Sequence, residues 1–226
     1  MSLIKVCEVT KTYQGGDGVV EALKDVNLEI AEGEFLALMG PSGSGKSTLL
    51  SIIGGLNAPT SGKLVIDDID VYALEPERLA DFRHEYVGFV FQQYQLIPYL
   101  TALENVMLPL AITSRPGKQQ QEMAQTVLDK VGLGNKSHRL PNQLSGGEQN
   151  RVAIARAIVN QPALIFADEP TGSLDSKTAM ELLELFQALN RDGLTIIMVT
   201  HNKENLDWVS RTVYIRDGVI EAEGGN

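Results

Sequence analysis

Residues 3–13 and 19–30 alternate apolar and polar positions, the period-two pattern of strands with one buried face. Gly15-Gly16-Asp17-Gly18 lies between them and supplies a tight turn, so the chain opens on two antiparallel strands. Glu34–Met39 is a short, unbroken apolar run, as a strand buried on both faces shows. A helix rich in Leu and Ile is predicted over Ser47–Gly55, with strands over Gly62–Ile69 and Tyr86–Phe91. From Thr101 to about Val159 the period changes. Three helical stretches follow, at 101–112, 118–132 and 146–160, broken at Arg115-Pro116-Gly117 and Leu140-Pro141-Asn142. Strand and helix then alternate again: Ala163–Ala167 a strand, 176–190 a helix, Thr195–Val199 a strand. Thr212–Ile215 and Val219–Glu221 flank Asp217-Gly218 as a closing hairpin. The alternation implies an α/β fold, a mostly parallel sheet with crossover helices. An antiparallel β unit opens it, and a helical unit is inserted at about 101–159. We expect one domain over 1–226, its core built from 1–100 and 160–226. No internal repeat is present, and Gln119-Gln120-Gln121 reads as a solvated helix face.

Composition narrows the possibilities. The 43% hydrophobic content leaves enough apolar surface for a core. The net charge of -10 argues against nucleic acid as the main partner, although a basic patch can sit on an acidic protein. The single cysteine, Cys7, excludes an internal disulfide and fits a reducing compartment. It reads as a small apolar filler of the first strand. Met1-Ser2-Leu3-Ile4-Lys5 runs straight into a strand pattern without a signal-peptide core. The apolar runs fall far short of the ~20 residues of a membrane span. A soluble chain is expected, with any membrane part supplied by another subunit.

Gly40-Pro41-Ser42-Gly43-Ser44-Gly45-Lys46-Ser47 fits G-x-x-x-x-G-K-[ST] between an apolar strand and a helix. Glycines let successive backbone N–H groups turn inward as an anion-binding nest, and the helix N-terminus adds its positive dipole end. Lys46 should reach the β- and γ-phosphates, and the Ser47 hydroxyl should ligate Mg²⁺. No guanine-reading N-K-x-D is present. The core is therefore expected to be of the P-loop NTPase kind. Leu164-Ile165-Phe166-Ala167-Asp168-Glu169 is an apolar strand ending in two carboxylates. Ligands of parallel α/β sheets bind beyond the C-terminal strand ends. There Asp168 would hold Mg²⁺ and Glu169 would act as general base on the attacking water.

Leu144-Ser145-Gly146-Gly147-Glu148, followed by Gln149-Asn150-Arg151, lies between these two motifs. It resembles the signature of the nucleotide-binding subunits of ABC transporters, and the resemblance covers essentially the whole chain. It implies that Tyr13 stacks on adenine. It also implies that Gln92 touches Mg²⁺ and the attacking water, and that His201 contacts the γ-phosphate. Ser173-Leu174-Asp175 would be the loop that crosses to the opposite subunit, and Thr48 joins the ATP-binding set. Physically, Ser145 and Glu148 form an S-x-x-E capping box before the buried run Val152-Ala153-Ile154-Ala155. Gly146 and Gly147 leave room for a phosphate. An acid at position 148, where the family often has Gln, would repel a triphosphate unless it folds back as the cap.

In the family the signature of one subunit completes the phosphate site of another. One loop and one signature therefore imply a two-fold homodimer with two shared MgATP sites. Phe89-Val90-Phe91-Gln92-Gln93, Leu96-Ile97-Pro98, Leu100–Val106 and Pro170-Thr171-Gly172-Ser173-Leu174-Asp175 resemble the lipoprotein-releasing and macrolide-export branch. That likeness implies an integral-membrane permease partner docking near Tyr94–Glu104, at the cytoplasmic face of the membrane. The early end after the hairpin fits an exporter-type ATPase. An ATP-dependent signalling partner of a membrane protein, of the cell-division kind, shares every motif. A soluble DNA-repair or translation ATPase would carry coiled-coil insertions or two cassettes.

Overall fold

The computed structural model describes residues 2–15 and 18–225. Strand β1 (Ser2–Gly15) pairs antiparallel with β2 (Gly18–Ala31), Ile4 opposite Ile30 and Tyr13 opposite Val20. The Gly16 and Asp17 of the predicted turn lie outside the described residues. Ile4 and Val6 point inward, and a bulge at Glu8, with φ 50°, resets the phase so that Val9 does too. Cys7 has the opposite phase and is exposed, not the buried filler its composition suggested. β4 (Ser61–Ile66) lies on the other side of β1 and β5 (Ile69–Asp70) beside β4, giving the order β2-β1-β4-β5. The single strand expected over Gly62–Ile69 is thus two. Asp67 and Asp68 have φ of 49° and 59°, the left-handed pair of a two-residue hairpin turn.

The second sheet holds β3 (Phe35–Met39), β6 (Val87–Val90), β7 (Leu164–Asp168), β8 (Thr195–Val199), β9 (Arg211–Arg216) and β10 (Val219–Gly225). Its order is β10-β9-β3-β8-β7-β6, parallel except for the antiparallel edge strand β10. β3 and β8 are buried along their whole length, as their unbroken apolar runs require. Leu36 and Leu38 pack with Ile4, Val6, Leu28 and Ile30 of the antiparallel sheet. Phe35 and Ala37 face the opposite core with Leu182, Phe186 and Leu189. The central sheet is the middle layer between two apolar cores.

Helix α1 (Lys46–Ile53) leaves β3 and buries Leu49, Leu50, Ile52 and Ile53 in the first core. α2 (Pro76–Tyr86) was not anticipated, being polar with Phe82 its one buried residue. Pro at its first turn and apolar Leu79, Phe82 and Tyr86 at helical spacing are the signals that mark it. α3 (Ala102–Met107) tightens into a 3₁₀ stretch at Leu108–Ile112, where Pro109 has no N–H to give. α4 (Gly117–Lys130) and α5 (Gly146–Ile158) share the second core with α3 through Val106, Ala124, Leu128 and Val152. α6 (Ser176–Arg191) closes it through Leu182, Leu183, Phe186 and Leu189.

Candidate nucleotide site

The loop Gly40–Gly45 joins β3 to α1, and two of its glycines are forced by space. Gly40 has φ 148°, and a Cβ there would lie 2.0 Å from the Ile215 carbonyl oxygen. Gly45, the N-cap of α1, has φ 104°, and its Cβ would lie 2.5 Å from the Ala22 carbonyl oxygen. Lys46 is 7% exposed and its ammonium donates to the Pro41 carbonyl at 2.8 Å and the Ser44 hydroxyl at 3.5 Å. Burial holds its pKa below the usual lysine value, against the opposing charges of Glu169 and Asp168. Among the described residues it has no ion pair. A buried cation with only a carbonyl and a hydroxyl for partners, at the root of a helix N-terminus, suits an incoming phosphate. Ser42 and Gly43 are exposed on the loop, Ser47 is exposed and Thr48 half-buried at the start of α1.

The Ser47 hydroxyl donates to Asp168 Oδ1 at 3.3 Å, joining the loop to the end of β7. Burial pushes the Asp168 carboxyl up. The Ser47 hydrogen bond and the Lys46 charge oppose that shift, and the Glu169 charge adds to it. A carboxylate whose charge is disfavoured by burial gains from a cation placed against it. Among the described residues no group of three or more His, Cys, Asp or Glu is arranged to hold a metal ion by itself.

Glu169 follows at φ 49°, its N–H donating to the Val199 carbonyl at 3.0 Å. His201, two residues beyond β8, places Nδ1 2.8 and 2.9 Å from the two Glu169 carboxylate oxygens. The Gln92 amide lies over Gly172, where a Cβ would come within 3.2 Å of Gln92 Nε2 and 3.4 Å of the Glu169 carbonyl oxygen. The ends of β3, β6, β7 and β8 thus gather Lys46, Ser47, Gln92, Asp168, Glu169 and His201. Tyr13 stands apart on the opening hairpin. It is 39% exposed, its hydroxyl accepts from Asn57 Nδ2 at 2.6 Å, and the Lys11 ammonium lies 5.1 Å from its ring centre.

Ser145 caps α5. Its hydroxyl accepts from the Glu148 N–H at 3.3 Å, and Glu148 Oε2 accepts from the Ser145 N–H at 2.9 Å. The other Glu148 oxygen pairs with Lys136. These bonds, the Lys136 one first, hold the Glu148 carboxyl below the usual carboxylate range. Gly147 packs against α6, where a Cβ would lie 2.3 Å from Thr178 Cγ2. Asp175 caps α6, Oδ1 accepting from the Thr178 N–H at 3.1 Å and Oδ2 from its hydroxyl at 2.7 Å, which lower its pKa. Among the described residues no hydrogen bond or ion pair joins Ser145, Gly146 or Gly147 to Gly40–Thr48.

The family profile described as ABC transporter matches residues 23–172, well over half of the chain. The chain belongs to the ABC transporter family. An ABC transporter ATP-binding protein of Thermotoga maritima is 51% identical over 219 residues, covering 97% of this chain and 94% of that one. The macrolide export ATP-binding/permease protein MacB of Syntrophobacter fumaroxidans is 48% identical over 228 residues. That match covers 100% of this chain and 32% of MacB. The dimeric post-hydrolysis structure of the Methanocaldococcus jannaschii cassette MJ0796, bound to ADP and Pi, superposes with a TM-score of 0.90. It is 47% identical, with 98% of each chain covered.

Two features of this ABC ATPase were not read from its sequence. Arg156, on α5, donates to the backbone carbonyls of Tyr94 at 2.8 Å and Gln95 at 2.5 Å, the residues after the Gln92-Gln93 pair. Both carbonyl owners have positive φ, 58° and 51°. Burial lowers the Arg156 pKa from its usual value. A lone Arg inside the apolar run Val152–Ile158 was the available signal. The second is the shape of the Tyr94–Glu104 segment. Tyr99 is 77% exposed, whereas Leu96 packs on the second core, so the exposed apolar surface of the segment centres on Tyr99. Buried Asn105 holds the segment through Ile97, Leu100 and Thr101 carbonyls at 3.0–3.1 Å.

Proposed function

We propose that two copies of this ABC ATPase close over two MgATP molecules and energise an exporter or lipoprotein-releasing system at the cytoplasmic face of a membrane. The observation that carries the reading is the split of the site. Lys46, Ser47, Asp168, Glu169, Gln92 and His201 converge, while the capped helix start at Ser145–Gly147 is bonded elsewhere in its own chain. The dimeric form of MJ0796 supports a second copy as the source of the missing half. Ser47, Asp168 and Gln92 would hold Mg²⁺, which when bound withdraws charge from the transferring phosphoryl group. Gly40–Thr48 bind the phosphates, Tyr13 the base, and Asp175 stands on the loop facing the second copy. Glu169 takes the proton of the attacking water, held in place by the His201 ring beside it. Residues of about 101–159 act as one helical unit carrying the signature against the core at 1–100 and 160–226.

The fusion of a like ATPase to a permease in MacB supports a membrane partner. Among the described residues no helix is long and apolar enough to cross a membrane. Tyr99 offers an exposed aromatic anchor within Tyr94–Glu104. Affinity-tagged chain recovered from detergent-solubilised native membranes should bring down an integral-membrane protein, and Tyr99→Asp should release it without changing soluble ATPase activity. Recovery that is indifferent to Tyr99→Asp would place the contact elsewhere.

A further inference from the structure

α5 hydrogen-bonds to the Glu169 turn through a buried side chain. Asn150, five residues beyond the Ser145 cap, is fully buried, and its Nδ2 donates to the Pro170 carbonyl at 2.6 Å. Among the described residues its Oδ1 has no hydrogen-bond partner. A buried amide satisfied on one side only costs about 1–3 kcal/mol against an apolar residue of similar shape, so stability does not account for it. Pro170 follows Glu169, whose φ of 49° is sparsely populated for a residue with a side chain. Such a conformation persists where its surroundings over-determine it. Here the Gly172 N–H closes the turn on the Glu169 carbonyl at 3.1 Å. Buried Asn205 holds its far side, Nδ2 donating to the Thr171 hydroxyl at 2.9 Å and the Thr200 hydroxyl at 2.8 Å. Asn205 ties the turn to the His201 loop. Asn150 ties it to the signature helix.

We infer that Asn150 is a positioning residue, through which the seating of Ser145–Gly147 against the second copy sets the Glu169 turn of its own copy. This rests on the reading of Glu169 as general base and of Ser145–Gly147 as the half-site lent to a partner. A shift of α5 moves the Asn150 amide, and with it the one carbonyl that α5 holds in the turn. Hydrolysis in one site then depends on occupancy of the other. A residue that acts this way changes turnover without changing the affinity of the isolated chain for ATP, because among the described residues its side chain hydrogen-bonds to Pro170 and not to the phosphate loop.

The test compares Asn150→Ala, Asn150→Leu and Glu169→Gln in the full-length purified chain, reading steady-state MgATP turnover, equilibrium binding of a fluorescent ATP analogue, and thermal midpoint. Both Asn150 variants should lose about tenfold or more in kcat while binding the analogue within about twofold of the parent. The Leu variant refills the space without a donor, so equal losses in the two assign the effect to the hydrogen bond. A loss confined to Ala, a proportional loss of binding, turnover within about twofold of the parent, or failure of both variants to fold would each overturn the inference. If Glu169→Gln keeps full turnover, the general-base reading itself fails and the inference with it. If Glu169→Gln is inactive and both Asn150 variants are active, the inference alone fails.

Discussion

Glu148 puts an acid where a triphosphate is to be gripped, and its bonds remove the conflict. One oxygen accepts from the Ser145 N–H, and the other pairs with Lys136. The charge is turned back over the helix start and neutralised there. Glu148→Gln should therefore change the ATPase rate by less than about tenfold in steady-state assays. A larger loss would mean that the carboxylate meets the nucleotide. Asp168 is the opposite case. Its folded pKa is raised by burial, so its contribution to stability is fully present below its unfolded value and lost as pH rises through the folded one. Above that raised pKa the nucleotide-free protein therefore carries a destabilising charge. Asp168→Asn should raise the thermal midpoint at pH 7 without nucleotide, the gain shrinking as pH falls through the raised pKa, while MgATP turnover is lost. A lower midpoint at pH 7 would contradict this.

Among the elements, α5 and α6 meet at Gly147, where Thr178 leaves no space for a Cβ. Thr178 cannot swing away freely, since its hydroxyl donates to Asp175. Gly147→Ala should cost about 1–3 kcal/mol through overpacking. Thr178→Ser keeps the hydroxyl bond and removes the offending methyl, and should recover most of that loss in denaturant titrations of the double variant. Absence of recovery would place the strain elsewhere. Elements were legible where the pattern is set by burial alone. β3 and β8 are covered on both faces and show unbroken apolar runs. α2 was missed because Phe82 is its one fully covered residue, with Leu79 and Tyr86 only partly buried beside it, which leaves a largely polar sequence. The Asp67-Asp68 turn and the exposure of Cys7 were missed for a different reason. The turn is a left-handed pair that composition does not reveal, and Cys7 is exposed because it alternates with inward Ile4 and Val6, the bulge at Glu8 only then returning Val9 to the buried face.

For the molecule as a whole, the site is legible where residues sit at strand ends. Asp168 ends an apolar strand, Glu169 and His201 come within two residues of one and Lys46 follows one across the Gly40–Gly45 loop, and the parallel sheet delivers those ends to one edge. The residues that tie the site to the rest of the fold were not legible. Asn150, Arg156 and Asn205 bond to backbone carbonyls and buried hydroxyls from distant segments, and only packing defines those partners. Sharing of the site between two copies is the central claim, and Glu169→Gln tests it most directly. With hydrolysis blocked and MgATP saturating, this variant should elute from a sizing column as a dimer, and with MgADP as a monomer. A monomer at saturating MgATP would contradict the account.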